Sequence, residues 1–181
     1  ISPYLSSENK NIRKEAVITL RYLNQLTHFT PANTLADDPD QEVRKETMLT
    51  LGNFREDCIV PILCNSLLND ESWEVRRNAA IALEMHEDNS SSKSLSSAIS
   101  DLHWQVRKFS MRALTKVLSE EYLGEIVKLL CDDYSDVRKE AAIALGLLGS
   151  KKAIPPLKQS LDDADIEVRI QSQKALEKLN V

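Results

Sequence analysis

One arginine recurs in register six times along the 181 residues. The six are Arg13, Arg44, Arg76, Arg107, Arg138 and Arg169, and their spacings are 31, 32, 31, 31 and 31. A period of this size makes each unit a supersecondary element that cannot bury its apolar side alone and must stack on its neighbours. Numbered from the arginine, position −1 is always Ile or Val: Ile12, Val43, Val75, Val106, Val137, Val168. Position +3 is always small (Ala16, Thr47, Ala79, Ser110, Ala141, Ser172), and +7 is always Leu (Leu20, Leu51, Leu83, Leu114, Leu145, Leu176). Positions −1, +3, +7 and +10 share one face of a helix, and the small residue lets a neighbouring helix approach closely. This is the second helix of each unit. A first helix is predicted upstream from pairs such as Leu67-Leu68, Leu129-Leu130 and Ser160-Leu161. Pro61 and Pro156 fall in its first turn, where the N–H that proline lacks has no partner to lose. An Asp closes the connection at −6 in five units: Asp38, Asp70, Asp101, Asp132 and Asp163. Asp favours turns and helix caps. Four glycines are too few to punctuate many hairpins.

The reading is an all-α chain forming one array over 1–181. Its units run approximately 1–28, 29–55, 56–88, 89–119, 120–150 and 151–181. The first is read as truncated, with only Ile1–Leu5 of its first helix. The stretch Asp-x-x-x-x-Val-Arg-x-x-Ala-x-x-Ala-Leu-Gly at Asp132–Gly146 resembles the signature of HEAT-like repeats of the short, phycobilisome-lyase type. The resemblance covers essentially the whole chain. It implies an α-solenoid of about six stacked two-helix repeats, wound as a right-handed superhelix with the second helices on the concave side. It leaves function open, because such arrays include chromophore lyases, hydroxylases, immunity proteins and plain scaffolds.

Composition narrows the classes. The net charge of −5 disfavours nucleic acid, whose phosphates demand a basic face. The longest apolar runs, Ala79–Leu83 and Ala141–Leu145, are far short of the ~20 residues that span a bilayer. No membrane partner is expected. Cys58, Cys64 and Cys131 cannot all pair internally, which suits a reducing, cytoplasmic setting. No phosphate-cradling glycine loop, nucleophile elbow or paired metal ligands appear, so neither an enzyme nor a cofactor is expected.

Four features depart from or ride on the repeat. The first is the ladder of Asp38, Asp70, Asp101, Asp132 and Asp163 with Arg44, Arg76, Arg107, Arg138 and Arg169. Strict repetition suits a structural tie within and between units rather than an anion site. The second is the +1 column, Lys14, Lys45, Arg77, Lys108 and Lys139. It is read as a solvated face, with Lys45, Arg77 and Lys139 paired to Glu42, Glu74 and Asp136 three residues earlier, and Lys108 an exception because Gln105 stands there. The third is aromatic. Trp73 and Trp104 share position −3, where other units carry Lys10, Gln41, Ser135 and Ile166. The stripe −3, +1, +5, +9 then reads Trp73, Arg77, Ile81, Met85 in one unit and Trp104, Lys108, Arg112, Lys116 in the next, with Phe109 beside it. Resemblance to synthetic proteins built from this repeat implies that the stripe faces the concave side and holds their binding positions. The predicted partner site is therefore Trp73, Arg77, Ile81, Met85, Trp104, Lys108, Phe109 and Arg112, an interface-like composition, extended by Ile18, Tyr22, Leu49, Ile143 and Leu147. The fourth is the serine-rich segment Asp88–Ser100, read as a weak, exposed first helix. His86 at +10 is read as favoured by a helix C-terminus rather than as a metal ligand, since His28 and His103 lack an adjacent Glu. The leading expectation is a non-enzymatic module binding a protein or peptide. A tetrapyrrole (bilin) lyase or chromophore-handling role is the alternative that the resemblance implies.

Overall fold

The computed structural model describes residues 2–23 and 32–180. Ile1, His28 and the 28/29 unit boundary lie outside the described residues. Among those described there are twelve α-helices and no strand. The first helices of the units are α1 (Ser2–Leu5), α3 (Ala32–Ala36), α5 (Ile59–Asn69), α7 (Ser92–Ala98), α9 (Leu123–Lys128) and α11 (Ile154–Gln159). The second helices are α2 (Lys10–Leu23), α4 (Gln41–Leu51), α6 (Trp73–His86), α8 (Trp104–Leu114), α10 (Ser135–Leu148) and α12 (Ile166–Lys178). Every second helix starts at position −3. Contacts divide the chain into two compact bodies, Ile1–Leu95 and Ser96–Val181.

In the first body α2, α4 and α6 pack side by side, with α3 and α5 laid against α4 and α6. The second repeats the plan: α8, α10 and α12 form a row, with α9 on α10 and α11 on α12. The apolar face read from the sequence forms the core. Val43, Val75, Val106, Val137 and Val168 are fully buried, as are Leu51, Leu114 and Leu145. The small +3 residues are buried throughout. Close approach is most visible between α10 and α12, where a Cβ added to Gly146 would lie 2.9 Å from the Ala175 Cα. Ile12 is the exception at −1, with 41% exposure. It lines a groove of about 440 Å³ together with Tyr4, Asn11, Glu15 and Thr19.

Apart from α5, the first helices are shorter than the second ones, and α9 and α11 run on into 3-10 turns, Leu129–Cys131 and Ser160–Asp162. Pro61 lies in the first turn of α5, and Pro156 in that of α11. The serine-rich segment is ordered by its own polar groups. The Asp88 carboxylate accepts the Ser90 N–H at 2.7 Å, and the Ser91 hydroxyl donates to the Asp88 carbonyl at 2.6 Å. Leu95, Ala98 and Ile99 then anchor it in the core. No helix among the described residues is long and apolar enough to cross a membrane.

Candidate partner-binding face

The turn before each second helix fixes where its first side chains go. The carboxylate at −6 accepts the backbone N–H at −4. Asp38 accepts from Asp40 (2.9 Å), Asp70 from Ser72 (2.8 Å), Asp101 from His103 (2.8 Å), Asp132 from Tyr134 (3.0 Å) and Asp163 from Asp165 (2.8 Å). Each −4 residue is thereby held extended as the N-cap, with φ between −97° and −83°. The arginine at 0 closes the same turn from the other side. Its Nη1 donates to the −6 carbonyl: Arg44 to Asp38 (2.8 Å), Arg76 to Asp70 (2.8 Å), Arg107 to Asp101 (2.9 Å), Arg138 to Asp132 (2.8 Å) and Arg169 to Asp163 (2.6 Å).

The rest of the guanidinium reaches the following repeat as a bidentate fork. Arg13 takes Asp38 (2.6 and 2.8 Å), and Arg44 takes Asp70 (2.8 and 3.2 Å). Arg107 takes Asp132 (2.7 and 2.8 Å), and Arg138 takes Asp163 (2.7 and 2.8 Å). One aspartate therefore caps its own turn and ties its repeat to the one before. The Arg138 guanidinium holds the Asp163 carboxyl below the usual carboxylate range. These four forks are each spent on the neighbouring repeat.

This clasp delivers the two tryptophans as the first residues of α6 and α8. In the first body α6 carries Trp73, Arg77, Ile81 and Met85. The Arg77 guanidinium lies over the Trp73 ring, 5.3 Å from its centroid. Trp73, Arg77 and Ile81 are half-buried, while Met85 is 47% exposed. Ile18 and Leu49 are half-buried on α2 and α4, and Tyr22 is exposed.

In the second body α8 brings together Trp104, Lys108, Phe109 and Arg112, all half-buried. The Lys108 ammonium sits 5.9 Å from the Trp104 ring centroid and 5.8 Å from that of Phe109. The Arg112 guanidinium covers Phe109 at 5.4 Å. A cation over an aromatic face contributes about 0.5–1 kcal/mol where solvent reaches it. Lys108 is not the unpaired exception that its own helix suggests. It donates to Asp136 of the next repeat at 2.9 Å, and Lys139 donates to the same carboxylate at 3.2 Å. Lys108 pulls the Asp136 carboxyl below its ordinary range.

Sequence reasoning missed Tyr134. Its ring stacks on Trp104 with centroids 5.2 Å apart and planes 11° apart, and the Arg107 guanidinium lies 5.8 Å from its centroid. Tyr134 is 47% exposed. The signal was available in the −4 column, where Tyr134 stands among Asp40, Ser72, His103 and Asp165.

His86 differs in sign from its sequence reading. Its Nε2 lies 3.1 Å from the Leu51 carbonyl oxygen, and burial pushes its pKa below the ordinary imidazole value, so the fold favours the neutral ring. Among the described residues no three His, Cys, Asp or Glu side chains form a metal-holding group. Cys58 and Cys131 are exposed; Cys64 is half-buried, and burial raises its thiol pKa.

A family model for HEAT repeats matches residues 30–101 and 91–177. No curated protein matches significantly. Among solved structures, an engineered protein is similar over 98% of this chain and 94% of its own, at 23% identity and a TM-score of 0.72. The Escherichia coli protein YibA is similar over 96% of this chain and 67% of its own, at 22% identity and a TM-score of 0.76. A designed armadillo repeat protein in complex with the peptide (KR)4 is similar over 98% of this chain and 97% of its own, at 22% identity and a TM-score of 0.74.

Proposed function

The chain belongs to the HEAT-repeat family, and on that premise we propose that it is a non-enzymatic interaction module whose second helices seat a protein or peptide partner. The observation that carries the reading is the pair of tryptophans at −3. The repeat does not need an aromatic there, since Lys10, Gln41, Ser135 and Ile166 hold the same place. The clasp nevertheless sets both at the start of a helix, each with a cation against its ring. Half-buried aromatics flanked by Arg and Lys are the composition of binding hot spots, where truncation costs about 2 kcal/mol or more. A designed armadillo repeat protein of the same fold carries a bound peptide, which supports the kind of partner. The binding set is Trp73, Arg77, Ile81 and Met85 on α6, and Trp104, Lys108, Phe109 and Arg112 on α8.

The test is a paired capture from native lysate, using the wild type and the triple variant Trp73→Ala/Trp104→Ala/Phe109→Ala. Both must show equal helical circular dichroism. A partner held only by the wild type supports the reading. A partner held equally by both removes the proposed surface. The resemblance to phycobilisome-lyase-type repeats makes a bilin the other ligand to titrate. Induced visible absorbance with the wild type would favour that alternative.

A further inference from the structure

The charge of the chain is unevenly placed. Residues 1–95 hold 15 acids against 10 bases, whereas residues 96–181 hold 13 of each. Within the second body, the stretch Trp104–Lys116 contains Arg107, Lys108, Arg112 and Lys116 and no acid. Arg107 is spent on Asp132. At the +1 positions of α8 and α10, Lys108 and Lys139 share the single carboxylate of Asp136. Two ammonium groups on one carboxylate leave a net positive charge beside the Trp104–Tyr134 stack. Both lysines are only part-buried, with side-chain exposures of 20% and 27%.

From this arrangement we propose that the second body binds an acidic peptide segment, one of whose carboxylates bridges Lys108 and Lys139 beside Trp104. The proposal rests on the peptide-binding reading above and names its partner class. A peptide fits better than a nucleic acid. The body as a whole is charge-balanced, so it lacks the broad cationic field that counterion release from a polyphosphate requires. The positive charge is local, sized for one carboxylate, and walled by aromatic rings suited to an adjoining side chain. Asp136 at present occupies part of the acceptor role that the partner's carboxylate would take.

The test uses the full chain with Trp73→Phe, which leaves Trp104 as the single tryptophan reporter. The probes are an octapeptide of alternating Asp and Glu, the peptide (KR)4, a Gly-Ser octapeptide and an eight-nucleotide oligothymidine. The acidic octapeptide is expected to change Trp104 emission saturably, with affinity falling as salt rises. Adding Lys108→Gln and Lys139→Gln weakens it about tenfold, as two part-exposed charge contacts would. Asp136→Asn tightens it severalfold by removing the competing carboxylate, an effect that a merely structural role for these residues would not produce. No saturation by the acidic peptide at millimolar concentration, or no response to either set of substitutions, overturns the proposal. So does preferential binding of the oligonucleotide. Preference for the basic or neutral peptide overturns the acidic assignment but leaves the peptide-binding reading standing. Partner capture unaffected by the tryptophan substitutions overturns that reading itself.

Discussion

The small residue at +3 shows how one atom alters a repeated position. Ala16, Ala79 and Ala141 fill it with a methyl group, and Thr47 satisfies its hydroxyl on the Val43 carbonyl at 2.8 Å. Ser110 and Ser172 are fully buried there, and neither hydroxyl has a hydrogen-bond partner among the described residues. A buried polar atom left unsatisfied costs about 1–3 kcal/mol. Alanine occupies the same buried place in three other repeats, as Ala16, Ala79 and Ala141. Ser110→Ala and Ser172→Ala should therefore each raise stability by roughly 1 kcal/mol, read as a higher denaturant midpoint at unchanged slope. A lowered midpoint for both would mean that the hydroxyls find partners in solution. The identity of this column was legible in the sequence because it repeats. Whether a given hydroxyl is satisfied was not, because that depends on the rotamer against the preceding turn. His86 shows the same limit. Its place at a helix end was legible, but the burial that lowers its pKa, against the Leu51 carbonyl 35 residues away, was not.

At the scale of the helix, the three positive-φ residues among those described all fall at +11: Glu87 (52°), Gly149 (73°) and Asn180 (61°). Each follows the end of a second helix, where a left-handed residue lets the chain turn out while its N–H still reaches back. Glu87 and Gly149 donate to the Leu83 and Leu145 carbonyls, both at 3.3 Å. Only Gly149 adopts this conformation without a Cβ penalty of about 1–2 kcal/mol. Glu87→Gly should stabilise the chain, and Gly149→Ala should destabilise it by about 1 kcal/mol. Thermal melts of the two variants, shifted in opposite directions, would check this. The helices themselves were legible because the −1, +3, +7 face repeats and their first residues are set by the Asp turn. The surroundings of the proposed binding stripe were legible only in part. Trp73 and Trp104 stood out against their column, but the Tyr134 stack and the Asp136 contact to Lys108 come from the next repeat, about 30 residues on. Periodicity within one helix carries no information about those pairings.

For the molecule as a repeat array, stability is close to a sum of repeat terms and nearest-neighbour interface terms, and the Arg–Asp forks are the most regular polar part of those interfaces. Arg138 and Asp163 retain only 15% and 10% side-chain exposure. Removing one member leaves the other charge buried without its partner, which costs on the order of 3 kcal/mol, whereas replacing both costs much less. Arg138→Ala should thus be more damaging than the double variant Arg138→Met/Asp163→Asn, in which Asn keeps an oxygen for the Asp165 N–H. The pH dependence follows from the direction of the shift. The fork lowers the Asp163 pKa in the folded state relative to the unfolded chain. Its stabilisation is therefore complete above the ordinary Asp pKa of about 3.9 and is lost as pH falls through the lower, folded value. The stability gap between wild type and Arg138→Ala should be wide at pH 7 and narrow below pH ~4, as followed by urea unfolding across that range. A gap that stays constant into strong acid would mean that Arg138 acts through the Asp132 carbonyl and its aliphatic packing rather than through the carboxylate. Arg13→Ala, which breaks the corresponding fork to Asp38 in the first body, should repeat the neutral-pH loss, since each fork in a one-dimensional array joins only its two neighbours.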